Sequence, residues 1–154
     1  MQGVHVPEEL GVGVLMFIAA RAAEGRILEA LQRAGYHDIT VAQARIAARI
    51  GPHGTRLGEL AEQAQVAKQT ATALVDRLER AGYVERTVDP SDARARLVRI
   101  GRRGAQIIPI ARAEEAKIEA EWTEHLGQRR MRQLREALNL LREITDPYDT
   151  PSPG

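Results

Sequence analysis

Through most of this chain apolar residues return at the period of a helix, and in one stretch the period changes. Ala71, Leu74, Val75 and Leu78 fall at i, i+3, i+4 and i+7, a single stripe that predicts a helix from Lys68 to Ala81 with Gly82 as its left-handed cap. A shorter periodic run, Leu57, Leu60, Ala61 and Ala64, comes just before it. Just after it, Tyr83 to Val88 and Leu97 to Ile100 are rich in strand formers. Between them lies Asp89-Pro90-Ser91-Asp92, a turn signal with a mechanism: proline fixes φ and aspartate bonds its own backbone.

Helix, helix, strand, turn, strand is the order of a helix-turn-helix with a β wing, and the exposed chemistry is that of a DNA reader. Opposite its apolar stripe the second helix presents Gln69, Ala73, Asp76 and Arg80, flanked by Thr70, Thr72 and Arg77. Glutamine can pair with adenine and threonine can donate, accept or touch a methyl group. Lys68, Arg77 and Arg80 can reach phosphates. Arg94 and Arg96 are expected at the wing tip, where arginines suit an adjacent minor groove. From Val66 to Gly104 nine basic side chains face five acidic ones, +4, in a chain of net charge +1. Charged patches are common in themselves; the ordered pattern beside this one is what points to a polyanion.

Upstream, Pro7-Glu8-Glu9 reads as a helix start. Leu10, Val14, Phe17, Ile18, Ile27, Leu28 and Leu31 then carry an apolar face to a stop at Gly35. A second helix is expected from Thr40, its cap, to about Ile50, with Val41, Ala44 and Ala48 inward. Downstream, Arg103 to His125 is helical in composition, with a bend or restart expected at Pro109. After Gly127, the residues Met131, Leu134, Leu138, Leu141 and Ile144 form a near-heptad stripe that needs a partner. First and last helices could cover each other, or interleave with a second copy through Leu10, Phe17, Leu134, Leu138 and Leu141. The dimer is favoured because two-fold symmetry supplies a second reading head. Asp146 to Gly154 reads as a frayed tail.

With 154 residues, 44% of them apolar and only 3% aromatic, the chain reads as one mainly α domain. It divides into dimerisation helices at about 7–35 and 103–145 and a DNA-binding lobe at about 38–102. Zero cysteines exclude disulfides and thiol chemistry. Nothing resembles a membrane span or a signal peptide, so the expected location is cytoplasmic. Glu121 and His125 share a helix face at i, i+4, and read as a solvated pair more readily than as half a metal site. Glu114, Glu115, Glu119, Glu121 and Glu124 read as an exposed charged face, not as paired catalytic carboxylates. Gly101 and Gly104 read as breakers between wing and helix. Neither Ser91 nor Ser152 sits in a nucleophile elbow, no metal or cofactor site is expected, and the chain does not read as an enzyme.

The run AKQTATALVDRLERAGYVERTVDPSDARARLVRIGRRG resembles the signature region of the MarR family of winged-helix regulators. The likeness spans Leu57 to Gly104 and is carried by VDRLERAGYVER together with Asp89, Pro90, Asp92 and Arg94. It implies major-groove contacts from Gln69, Thr70, Thr72 and Arg77, a minor-groove contact from Arg94, a homodimer, and a ligand-responsive repressor. Three positions depart from the pattern: Ala67 where Ser or Thr commonly caps, Ala93 where a first wing arginine is common, and Gly101 where Thr usually caps the next helix. Phe17, Tyr36 and Trp122 either fill the core where the terminal helices meet or line the small-molecule cavity that the resemblance places between those helices and the reading lobe. Two other readings of the chain are a winged-helix protein-interaction module and a metal or small-molecule sensor.

Overall fold

The computed structural model of the chain describes residues 9–148. Its elements are α1 (Val12–Arg33), α2 (Val41–Ala47), β1 (Thr55–Arg56), α3 (Leu57–Gln63), α4 (Lys68–Arg80), β2 (Val84–Asp89), β3 (Asp92–Ile100), α5 (Arg102–Leu126) and α6 (Gln128–Thr145). The mainly α fold with a small β wing is the one the apolar pattern predicts. The sheet is antiparallel in the order β1-β3-β2, and β1 is a strand too short for alternation to reveal.

The lobe is built around α4. Ala71, Leu74, Val75 and Leu78 are all buried, packed with Leu60 and Ala61 of α3, Ile46 of α2 and Val98 of β3. Gly82, at φ +82°, ends the helix: its N–H donates to the Glu79 carbonyl at 3.0 Å and the Tyr83 N–H donates to the Leu78 carbonyl at 2.9 Å. These are the two bonds of a Schellman cap, which needs the left-handed residue that glycine supplies. Thr40 and Gln43 cap α2 reciprocally, the Gln43 N–H donating to Thr40 Oγ1 at 3.2 Å and the Thr40 N–H to Gln43 Oε1 at 3.0 Å.

Several boundaries and placements differ from the sequence reading. α1 begins at Val12, after a non-helical Glu9–Gly11; Pro7 and Glu8 lie outside the described residues. α2 is shorter than expected, and Gln43 and Ile46 are buried where Ala48 is exposed. α5 continues unbroken through Pro109, because losing one hydrogen bond to the preceding turn is affordable in a 25-residue helix packed along α1. Gly104 lies inside α5 and is no breaker: a Cβ there would stand 2.3 Å from the Tyr83 carbonyl oxygen, and one at Gly101 2.8 Å from that of Gly82. Both glycines let α5 start directly against the end of α4.

The long helices are tied by charge. Glu114 is buried, not part of an exposed face; Arg26 donates to it at 3.2 Å, and Arg33 and Lys117 stand at 3.9 and 3.8 Å. Arg26 also bonds Glu121, so the partner of Glu121 is on α1. The segment after α6 is fastened: Asp146 accepts from Arg142 at 3.1 Å and the Tyr148 hydroxyl donates to Glu62 of α3, while 149–154 lie outside the described residues. The outer apolar stripes are uncovered. Leu10 and Phe17 are 52% and 56% exposed, and Leu134, Leu138 and Leu141 37–41%. Within one chain, then, the first and last helices do not cover each other.

Candidate nucleic-acid interface

The buried stripe of α4 fixes which face looks outward. Lys68, Gln69, Thr70, Ala73, Arg77 and Arg80 are exposed and Thr72 is half-buried, its hydroxyl donating to the Lys68 carbonyl at 2.9 Å. Ala67, at the N-cap, makes no side-chain cap bond, so the first turn keeps amide donors unspent. Such a turn carries partial positive charge and suits a phosphate.

The same face holds two acids that would repel a polyanion, and sequence reasoning left them unpaired. Arg86 of β2 answers both: its guanidinium donates to Asp76 at 2.6 Å and to Glu79 at 2.8 Å, and its backbone N–H donates to Glu79 at 3.2 Å. The pairing pins β2 to α4 as well as neutralising the acids. Arg86 is therefore already paired within the chain, although it entered the sequence charge count. The spacing of seven and ten residues across a cap was the only signal, and it becomes legible once the chain is folded back at Gly82.

The wing is a hairpin in which Asp89 pairs with Asp92 around Pro90-Ser91. Asp89 is the fastening point. Its Oδ1 accepts from the Ser91 N–H at 2.8 Å and hydroxyl at 2.7 Å, and its Oδ2 from Arg56 Nε at 2.9 Å. The Ser91 backbone bond, then its hydroxyl and Arg56, hold the Asp89 carboxyl below the usual carboxylate range. Asp92 Oδ1 accepts from the Arg94 N–H at 3.0 Å. β3 begins at Asp92, and its register breaks opposite Val88 and Asp89, so Arg94 lies in the unpaired stretch beside the turn while Arg96 pairs with Val88; both are exposed. Among the described residues neither Arg77 nor Arg94 has an ion-pair partner.

Behind the lobe a cavity of about 440 Å³ opens between α1, α2 and α5, walled by Ile27, Leu28, Val41, Ile107, Tyr83 and the Glu24–Arg45 ion pair among others. Phe17, Tyr36 and Trp122 are not among its walls. Phe17 is exposed and fills no core, whereas Tyr36 packs just after α1 with its ring 6.4 Å from that of Tyr83 and its hydroxyl donating to Gln106 of α5 at 3.1 Å. No group of three or more metal-type side chains gathers among the described residues.

A two-helix reading head with an arginine-bearing hairpin beside it defines a winged helix-turn-helix DNA-binding regulator. The model of the MarR family matches residues 37–95, and the chain belongs to that family. It is similar to the transcriptional activatory protein BadR of Rhodopseudomonas palustris, 32% identical over 94 residues that cover 61% of this chain and 53% of BadR. The chain spans about half the length of the curated relatives it matches. Among solved structures it resembles the regulator Tm0710 of Thermotoga maritima, 30% identical with a TM-score of 0.59, covering 87% of this chain and 93% of that one. Wild-type MarR from E. coli is 26% identical with a TM-score of 0.70, covering 87% and 98%.

Proposed function

We propose that the chain works as a homodimer on a pseudo-palindromic duplex site, with α4 of each copy in successive major grooves. Gln69, Thr70 and Thr72 meet base edges, Lys68 and Arg77 meet phosphates, and Arg94, helped by Arg96, enters the flanking minor groove. The observation carrying this reading is the outward face of α4: the Gln69 amide, the Thr70 hydroxyl and the Arg77 guanidinium are exposed while Arg86 has already neutralised Asp76 and Glu79. Residues about 38–102 form the DNA-binding lobe and about 7–35 and 103–145 the dimerisation region. There Leu10, Phe17, Leu134, Leu138 and Leu141, exposed in the single chain, meet their counterparts.

Two heads must fit one duplex at once, with half-site centres about one turn, ~34 Å, apart. A small molecule in the cavity behind the lobe would change that spacing and release DNA. Repression, reversed by such an effector, is the regulatory sense that the family likeness favours, and the cytoplasm is its place of action. Selection from random duplexes should return an inverted repeat with this spacing, and a reporter carrying that repeat should be silenced by the protein. Absence of any enriched sequence would reject the DNA role in favour of a protein-interaction module; an enriched repeat without silencing would reject repression alone.

A further inference from the structure

We infer that Arg103 is a positioning residue for DNA recognition: its guanidinium fixes the C-terminal end of the recognition helix to the first turn of α5, so that the long helix sets how α4 is presented. The inference rests on the DNA-reading role proposed for α4.

Arg103 Nη1 donates to the Ala81 carbonyl at 3.0 Å and to Asp38 Oδ2 at 2.6 Å, and Nη2 donates to Asp38 Oδ1 at 3.0 Å. Ala81 is the C-cap of α4, so the carbonyl captured is one that the helix itself leaves without a partner, at the negative end of its dipole. Asp38 lies in the connection from α1 to α2, and its Oδ1 also accepts from the buried Tyr83 hydroxyl at 2.5 Å. The guanidinium carbon stands 4.4 Å from the Tyr83 ring centroid and 5.4 Å from that of Tyr36.

The backbone repeats the connection. The Arg103 N–H donates to the Gly82 carbonyl at 3.1 Å and the Gly101 N–H to the Tyr83 carbonyl at 2.8 Å. With Gly104 admitting no Cβ against Tyr83, the start of α5 has no slack relative to the end of α4. To this backbone junction the planar cation adds a side-chain tie, joining the Ala81 carbonyl and Asp38 of the α1–α2 connection to the first turn of α5. Lysine, a point charge without the fork, could not hold all three acceptors. Tyr83 is also a wall of the cavity behind the lobe, so an occupant there would press on the ring that Arg103 and Asp38 hold.

The test uses the full chain, the duplex recovered by selection, and a random duplex of equal length. Arg103→Met, checked for folding by circular dichroism, should lose about ten-fold or more in affinity for the selected duplex while its binding to the random duplex and its salt slope stay as in the wild type. Arg103→Lys should recover only part, and Asp38→Asn combined with Arg103→Met should be no weaker than Arg103→Met alone, the signature of one shared contact. A purely structural role would lower the melting temperature and leave the ratio of selected to random affinity alone, which overturns the inference. So does an equal loss on both duplexes with the salt slope falling by about one, which makes Arg103 a phosphate contact. If Arg103→Met does not fold, Asp38→Asn decides, and an unchanged affinity ratio overturns the inference. Failure of the wild type to select any sequence rejects the DNA role itself, and the inference falls with it.

Discussion

The reading head and the helical arm are built from the same periodic leucines, yet only one of them closes on itself. In the lobe, Leu60, Val75 and Leu78 are fully buried by neighbours within the chain. In the arm, Val12 is 69% and Ile144 84% exposed. Helical period therefore states that a face must be covered without stating by what, and among the described residues nothing covers the outer stripe of the arm. The largest effects should separate the two regions. Leu78→Ala should cost about 2–5 kcal/mol through transfer and cavity formation. Urea unfolding should show the loss at every protein concentration. Leu138→Asp should leave the lobe folded and yield monomers in sedimentation, losing about 1.5–3 kcal/mol of apolar burial per side chain at the interface. A dimer that persists would mean the arm is covered some other way.

Between these extremes stand the contacts to DNA. Arg94→Ala should cost about 1–3 kcal/mol on the selected duplex, or lower the salt slope by about one if it meets only phosphate. Affinity unchanged at several salt concentrations would remove β3 from the interface. A smaller effect of opposite sign is expected at the unfilled N-cap: Ala67→Ser should stabilise α4 by about 1 kcal/mol, read as a higher urea midpoint. No gain would mean the first-turn amides already have partners.

What the sequence disclosed and what it withheld follow the same division. The α4 stripe and the Gly82 cap were legible because both are local: period decides the first and backbone stereochemistry the second. Arg94 and Arg96 were identified as exposed cations near the tip, but the register break that leaves Arg94 unpaired and sets Arg96 opposite Val88 was not legible, since residues such as Ala93 carry no strand signal of their own. Glu114 looked like one acid on a charged face, and only Arg26, 88 residues away, reveals it as buried and paired. Gly101 and Gly104 looked like punctuation because the backbone they accommodate, at Gly82 and Tyr83, approaches through folding. Asp38 and Arg103, 65 residues apart, gave no signal at all. Pairings across elements depend on the assembled geometry, which no local period encodes.

The smallest effect tests how firmly head and arm are joined. Arg103, foremost, and then the Tyr83 hydroxyl hold the Asp38 carboxyl at about 2, below its ordinary 3.8. A carboxylate depressed in the folded state contributes stability that is complete above the unfolded value and is lost as pH falls through the folded one. The Asp38 contribution should therefore be intact at neutral pH and fade between pH 3.8 and about 2. Its side chain is half exposed, so solvent screening keeps the contribution small. Asp89, Glu121 and Asp146 also sit below their ordinary values and titrate in the same region, so the wild-type acid limb alone is uninformative. Subtracting Asp38→Asn from wild type cancels those shared groups. The difference in urea midpoint should hold steady from neutral pH down to about 5, then shrink toward pH 2. A difference that stays level to pH 2 would show that the Arg103 bond to Asp38 does not form in solution, and the joint between α4 and α5 would rest on the backbone contacts alone.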